Sequence, residues 1–173
     1  MRVTVRKFRK FDIPDKVRWI NAPENNRFLH YDLPLEIDKT EQWYERASKD
    51  PTRYDAVIEA EGVPCGLIGL LSIDSSNKKA EFYVMLGKAE YRGRGIASEA
   101  TGLLLHYAFG TLGLNRIYLY TETGNNAAQR LFERTGFIKE GCLRCDLISR
   151  GTYQDRFIYG ICRDDYDKQY HRL

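Results

Sequence analysis

The sequence predicts an α/β fold of the α+β kind, a mixed, mainly antiparallel sheet of about seven strands flanked by about four helices. Three observations carry that expectation. Three strand-like segments, 54–60, 63–73 and 80–86, follow one another across short turns, as in an antiparallel meander. At Ile96 the apolar period changes from strand-like to helical. The middle of the chain then reads strand, helix, strand, helix, strand, which asks for a parallel crossover around the helix beginning at Ile96.

Each element has its own signal. Residues 3–8 alternate apolar and charged side chains, as a half-buried strand does. Pro14 suits the first turn of a helix, predicted to run to Asn21. Residues 22–35, rich in Asn and Pro, read as a long loop. Asp38-Lys-Thr-Glu41 resembles a capping box, and Trp43, Tyr44 and Ala47 form an apolar stripe behind it. Glu61-Gly62 and Asp74-Ser-Ser-Asn77 supply the turns of the meander. Ile96, Ala100, Leu103, Leu104, Tyr107 and Ala108 share a helical face that ends near Gly110 or Gly113. Ile117, Leu119 and Thr121 then alternate with Tyr118, Tyr120 and Glu122 in a strand over 116–123. The next helix carries Ala128, Leu131, Phe132 and Thr135, and Gly136 stops it. Strands over 137–148 and 153–162 flank a turn at Ser149-Arg-Gly-Thr152, and residues 163–173 are expected to be a charged tail that frays.

A chain of 173 residues fits one domain, here 1–173. Its 43% hydrophobic and 29% charged residues allow a core of real size. Basic and acidic residues number 27 and 24, interspersed, with the densest basic patch at Arg6-Lys7-Phe8-Arg9-Lys10. So small an excess argues against a nucleic-acid partner. No apolar run approaches the ~20 residues of a membrane span, and no signal-peptide core follows Met1. The expectation is a cytoplasmic protein without a membrane partner. Cys65, Cys142, Cys145 and Cys162 then read as reduced thiols. Cys142-Leu-Arg-Cys145 has metal-ligand spacing, but it lacks a second ligand pair, and His30, His106 and His171 are scattered singly. No metal is expected.

Tyr91-Arg92-Gly93-Arg94-Gly95-Ile96-Ala97, between a strand and an amphipathic helix, is the most informative stretch. Glycines let the backbone turn tightly and approach a ligand. A helix N-terminus offers unpaired amides and partial positive charge, both suited to phosphate. Arg92 and Arg94 add donors. No Gly-Lys-Ser/Thr follows, so this is not a Walker loop, and the third glycine of a dinucleotide fingerprint is missing. By itself the loop serves equally as a structural turn or a phosphate cradle.

Arg92-x-x-Gly95-x-Ala97 resembles the pyrophosphate-binding signature of the GNAT superfamily of N-acetyltransferases. A second block, from Asn125 through Leu131 and Phe132 to Gly136-Phe137, is similar to that superfamily's helix-then-Gly-Phe segment. The order of elements agrees from Val3 to Cys162. Tyr153-x-Asp155 resembles the branch holding ribosomal-protein N-terminal, spermidine and amino-sugar-nucleotide acetyltransferases.

The resemblance implies acetyl-coenzyme A as cofactor, held where the fourth and fifth strands splay. It places the pyrophosphate on the backbone of Arg92, Gly93, Arg94, Gly95, Ile96 and Ala97. The pantetheine arm is expected to add like a strand along Met85, Leu86 and Gly87, where an amide would polarise the thioester carbonyl. Asn125 falls where a family asparagine contacts the coenzyme arm, and Asn equally suits a helix cap. Glu81 matches a glutamate base of histone-acetylating relatives; the alternative is a solvated carboxylate paired with Lys78 or Lys79. Many relatives place a proton-donating tyrosine where this chain has Phe132, so the acid is unassigned; Tyr120, Tyr118 or bound water could substitute, and the two tyrosines equally suit a strand core. His30, Tyr31 and Trp19 are the candidate acceptor contacts.

The reaction implied is direct attack of a primary amine of a small molecule or peptide on the thioester in a ternary complex. An amino-sugar nucleotide is ranked ahead of a polyamine or a protein N-terminus. The rival expectation, motivated by Phe132, is a coenzyme-binding regulatory module without turnover. Edge strands leave room for a homodimer.

Overall fold

The computed structural model describes residues 1–171. Its strands are β1 (Val3–Lys7), β2 (Tyr54–Ala60), β3 (Val63–Asp74), β4 (Lys79–Leu86), β5 (Arg116–Glu122), β6 (Ile138–Ser149) and β7 (Thr152–Cys162). Its helices are α1 (Ile13–Asn21), α2 (Ile37–Ala47), α3 (Ile96–His106), α4 (Asn126–Arg134) and α5 (Arg163–Tyr170). The strands form one sheet in the order β1-β2-β3-β4-β5-β7-β6. β1 with β2, β2 with β3, β5 with β7 and β7 with β6 pair antiparallel, whereas β4 and β5 run parallel. This is the expected mixed sheet, with one helix more than expected. The chain gathers into two compact units, Met1–Leu71 with Tyr83–Leu104, and Ser72–Phe82 with the chain from Leu105.

In the first unit, Glu61 and Gly62 both take positive φ (50° and 77°), the two-residue turn whose twist suits the β2–β3 hairpin. Phe8, Ile13, Trp19, Ile20, Val57 and Leu67 form its buried core. The basic patch near the N-terminus is partly an internal device. Arg6 bonds both oxygens of buried Asp12 at 2.8 Å and Glu59 at 2.6 Å, and Asp12 also accepts from the Arg9 amide at 2.8 Å. That carboxylate turns the chain from β1 into α1. Lys16 on α1 is buried with its ammonium 3.6 Å from the Trp43 ring centroid. Cation–π attraction offsets part of the desolvation, yet burial still lowers the Lys16 pKa to about 8.

The expected capping box at Asp38 does not form: α2 starts at Ile37 after Glu36, whose carbonyl accepts from the Thr40 amide and hydroxyl. Asp38 lies inside the first turn, where its charge still suits the helix dipole. Trp19 is a core residue of α1 and not a loop contact for substrate. Its ring lies so close to Gly87 that a Cβ there would stand 2.1 Å from Cγ. Gly87→Ala is therefore expected to lower stability by about 1–3 kcal/mol, the usual effect of overpacking. An unchanged midpoint in chemical denaturation would show that Trp19 can move aside.

The helical face of α3 is also shifted from expectation. Leu105 is fully buried whereas Leu103 is 43% exposed, and a π turn over Tyr107–Thr111 ends the helix.

In the second unit, the Asn115 and Arg116 amides donate to the Lys78 carbonyl, setting the start of β5 beside β4. Phe132 on α4 is buried against Phe82, Phe137 and Tyr159, with ring centroids 5.9–6.2 Å apart. Gly136 takes φ +95° and ends α4 as expected.

The expected fraying tail is corrected to a docked helix over Arg163–Tyr170, while Arg172 and Leu173 lie outside the described residues. Tyr166 is buried and stacks on Phe109 at 4.7 Å. Arg163 donates to the carbonyls of Phe109 and Leu114, and Asp165 accepts from the Cys162 amide at the helix start. A charged composition hid one aromatic anchor and two polar clamps.

Candidate active site

The loop before α3 has the backbone its glycines allow. Gly93 and Gly95 take φ +72° and +79°, a region that L side chains adopt only with strain. Nothing lies within 4 Å of a Cβ built on either. Positive φ and open space above the chain are what close approach of a ligand to backbone requires. The Glu99 amide makes the first helical bond, to Gly95 O at 3.0 Å. The amides of Ile96, Ala97 and Ser98 therefore have no intrahelical acceptor. Ser98 Oγ, buried in that first turn, has no hydrogen-bond partner. An orphaned hydroxyl beside three free amides fits a diphosphate. Sequence reasoning passed over Ser98, although a hydroxyl two residues into a helix after a Gly-x-Gly turn is a readable signal.

Arg92 is placed differently from its sibling. Its guanidinium donates to Asn25 Oδ1 and, at 3.4 Å, to the Glu24 carbonyl. Asn25 Nδ2 in turn reaches the carbonyls of Trp19 and Gly87, both at 2.8 Å. Arg92 thus staples the 22–35 segment to the glycine loop. Asn21 closes the same segment through the Leu35 amide and carbonyl. Arg94 is exposed, its guanidinium 5.8 Å from the Tyr91 ring. His30 and Tyr31 are both exposed on this segment, and the Tyr31 ring lies 5.9 Å from the Lys16 ammonium.

The three β4 positions are not equivalent. Gly87 N donates to Cys65 O at 2.8 Å, and Gly87 O accepts from Asn25. Met85 O faces Gly66, 2.4 Å from where a Cβ would stand. Backbone groups alternate sides along a strand, so those of Leu86 point away from β3. Gly87 is a packing glycine with both polar groups committed, and the edge available for strand addition centres on Leu86.

In the second unit the parallel β4–β5 ladder has three pairs and stops at Glu81 opposite Tyr118. Glu81 is half-buried and makes no hydrogen bond or ion pair among the described residues, so pairing with Lys78 or Lys79 does not occur. Burial raises its carboxyl pKa, and the charge of Arg156 pulls it partly back. Such a carboxylate titrates closer to neutrality and suits proton acceptance. Tyr118 and Tyr120 stand edge to face at 5.9 Å, and burial followed by the charge of Glu81 raises the Tyr118 pKa. The Arg156 guanidinium lies 4.6 Å over the Tyr120 ring.

Asn125 takes the capping role, its Oδ1 accepting from the Ala128 amide at 3.2 Å, which leaves its Nδ2 for a ligand. Asp155 accepts from the Cys145 amide, and Tyr153 is 69% exposed. No group of three or more His, Cys, Asp or Glu among the described residues could hold a metal ion. No helix among them is long and apolar enough to cross a membrane.

Residues 2–138 match the family model described as "Acetyltransferase (GNAT) domain". The spermidine N(1)-acetyltransferase of Vibrio cholerae is 32% identical over 144 residues, 80% of this chain and 83% of that protein. The spermidine N(1)-acetyltransferase of Escherichia coli K12 is 27% identical over 156 residues, 88% and 83% of the two chains. The crystal structure of the Vibrio cholerae spermidine N-acetyltransferase in complex with CoA and spermine superposes with a TM-score of 0.88. It is 28% identical and covers 95% of this chain and 97% of that one.

Proposed function

The chain belongs to the GNAT acetyltransferase family, and on that premise we propose that it transfers acetyl from acetyl-coenzyme A to a primary amine by direct attack in a ternary complex. The observation that carries this reading is the mouth of α3, with its free amides, its orphaned Ser98 hydroxyl and the open space over Gly93 and Gly95. When bound, the coenzyme supplies the thioester that the amine attacks.

The amides from Ile96 to Ser98 and the Ser98 hydroxyl hold its diphosphate, and the Leu86 backbone aligns its arm. Arg92 holds the 22–35 segment against the loop. Glu81 takes the proton from the incoming amine, a group about 99.9% protonated at pH 7 given a pKa near 10. Phe132, buried among aromatic rings, donates nothing. The thiolate's proton comes from Tyr120 or from solvent.

The named relatives act on spermidine, and this moves a small polyamine ahead of an amino-sugar nucleotide as acceptor class. His30 and Tyr31 remain the contacts proposed for it. Release of free thiol from acetyl-coenzyme A, measured with spermidine, an amino-sugar nucleotide and a peptide amine, tests the proposal. Steady release with a small amine is expected. Coenzyme binding without release from any acceptor would favour the regulatory module instead.

A further inference from the structure

We propose that Arg156, anchored by Asp146, is a positioning residue that places a cation on the Glu81 face of the sheet from the β6–β7 hairpin. The inference rests on Glu81 being the base.

Strand register puts these groups on one side of the sheet. Glu81 is opposite Tyr118 in the parallel ladder, and Arg156 is opposite Glu122 in the β5–β7 ladder. Residues 118, 120 and 122 share a face, and directly opposed residues share it with them. Arg156 therefore projects from the Glu81 face. It leans back along β5 to lie over Tyr120.

Its anchor is specific. Arg156 Nε and Nη2 both reach Asp146 Oδ2 at 2.6 Å. Asp146 belongs to an irregularity of β6 between Leu143 and Leu147, where four residues of β6 span what two of β7 do. Cys145 there takes φ +53°, a strained setting for a residue with a Cβ, and Asp155 holds its amide at 2.7 Å. Strand irregularities re-aim side chains, and this one turns a carboxylate onto Arg156.

The other charged or titratable groups on this face bear on the result. Lys79 and Tyr118 flank Glu81, Arg116 is paired with Glu140, and Glu122 lies beyond Tyr120. Asp74 adds a negative charge near Tyr118. Among them Arg156 is the cation that acts on Glu81, and Asp146 is the anion that tempers it. The two therefore make opposite predictions.

The Glu81 carboxyl can be titrated by carbon-13 NMR in the free protein, with its resonance assigned by loss in Glu81→Gln. Arg156→Gln is expected to move the midpoint up. Asp146→Asn, which leaves the guanidinium uncompensated, is expected to move it down. Arg156→Lys restores most of the parent value and guards against an unfolded Arg156→Gln. The acid limb of kcat/KM against pH should follow the same order. Superimposable titrations, or shifts in one common direction, would overturn the assignment, because a purely structural pair has no reason to move the midpoint in opposite senses. The base itself fails separately: if Glu81→Gln keeps the acid limb, Glu81 is not the base, whatever the NMR midpoints show.

Discussion

Glu81→Gln is expected to lower kcat by about 10²- to 10⁴-fold, the usual share of a positioned general base, with coenzyme affinity nearly unchanged. Glutamine keeps the volume and a hydrogen-bonding end but cannot accept the amine's proton. The pH profile adds a second readout. Burial raises the Glu81 pKa, so kcat/KM of the parent should fall with acid at a higher pH than a fully solvated glutamate would give, and the variant should lose that limb. Loss of fold cannot mimic the result. A carboxyl whose pKa is raised by folding adds stability below its unfolded pKa, and that contribution is lost as pH rises through the folded value. Glutamine is therefore expected to be no less stable than the parent at pH 7. Equal rates across the pH range would remove Glu81 from the mechanism.

Gly95→Trp is expected to abolish coenzyme binding, at least about 100-fold in Kd, while the protein stays folded. That loss corresponds to about 2.7 kcal/mol or more of binding energy. The space above Gly95 is open, so the indole meets no protein atom at its Cβ. It fills the place where a diphosphate would reach the amides of α3. The backbone contribution is separable, since φ +79° with a side chain costs about 1–2 kcal/mol wherever it occurs. Gly113→Trp is the control, with φ +63° and open surroundings but a position beyond the other end of α3. Calorimetric titration with coenzyme A should show loss for the first variant only, and thermal melts should show similar small decreases for both. Unchanged affinity in Gly95→Trp would remove the phosphate cradle.

Much of this could be read in advance, and for one kind of reason. Strand alternation, helical period, the positive-φ glycines at 62, 95 and 136 and the Gly-Phe boundary after α4 are local properties. They depend on residues a few positions apart, so composition and spacing decide them. The loop at 92–97 belongs to this class, which is why a candidate phosphate cradle was legible in the sequence.

What only the tertiary structure decided are partnerships between residues far apart in the chain. Arg6 meets Glu59 across 53 positions, and Asn25 meets Gly87 across 62. The Trp19 ring occupies the space that makes Gly87 obligatory, and Trp43 covers the Lys16 ammonium. A hidden Tyr166 turned an apparent tail into α5. In the site, the strand irregularity that brings Asp146 to Arg156, and the solitary burial of Glu81, follow from register. By itself the sequence determined the seven strands and the first four helices, and it offered one loop where a phosphate could be gripped. Which side chains face each other across the sheet, and so which groups can tune a proton acceptor, depended on long-range register, because a one-residue slip reverses every face.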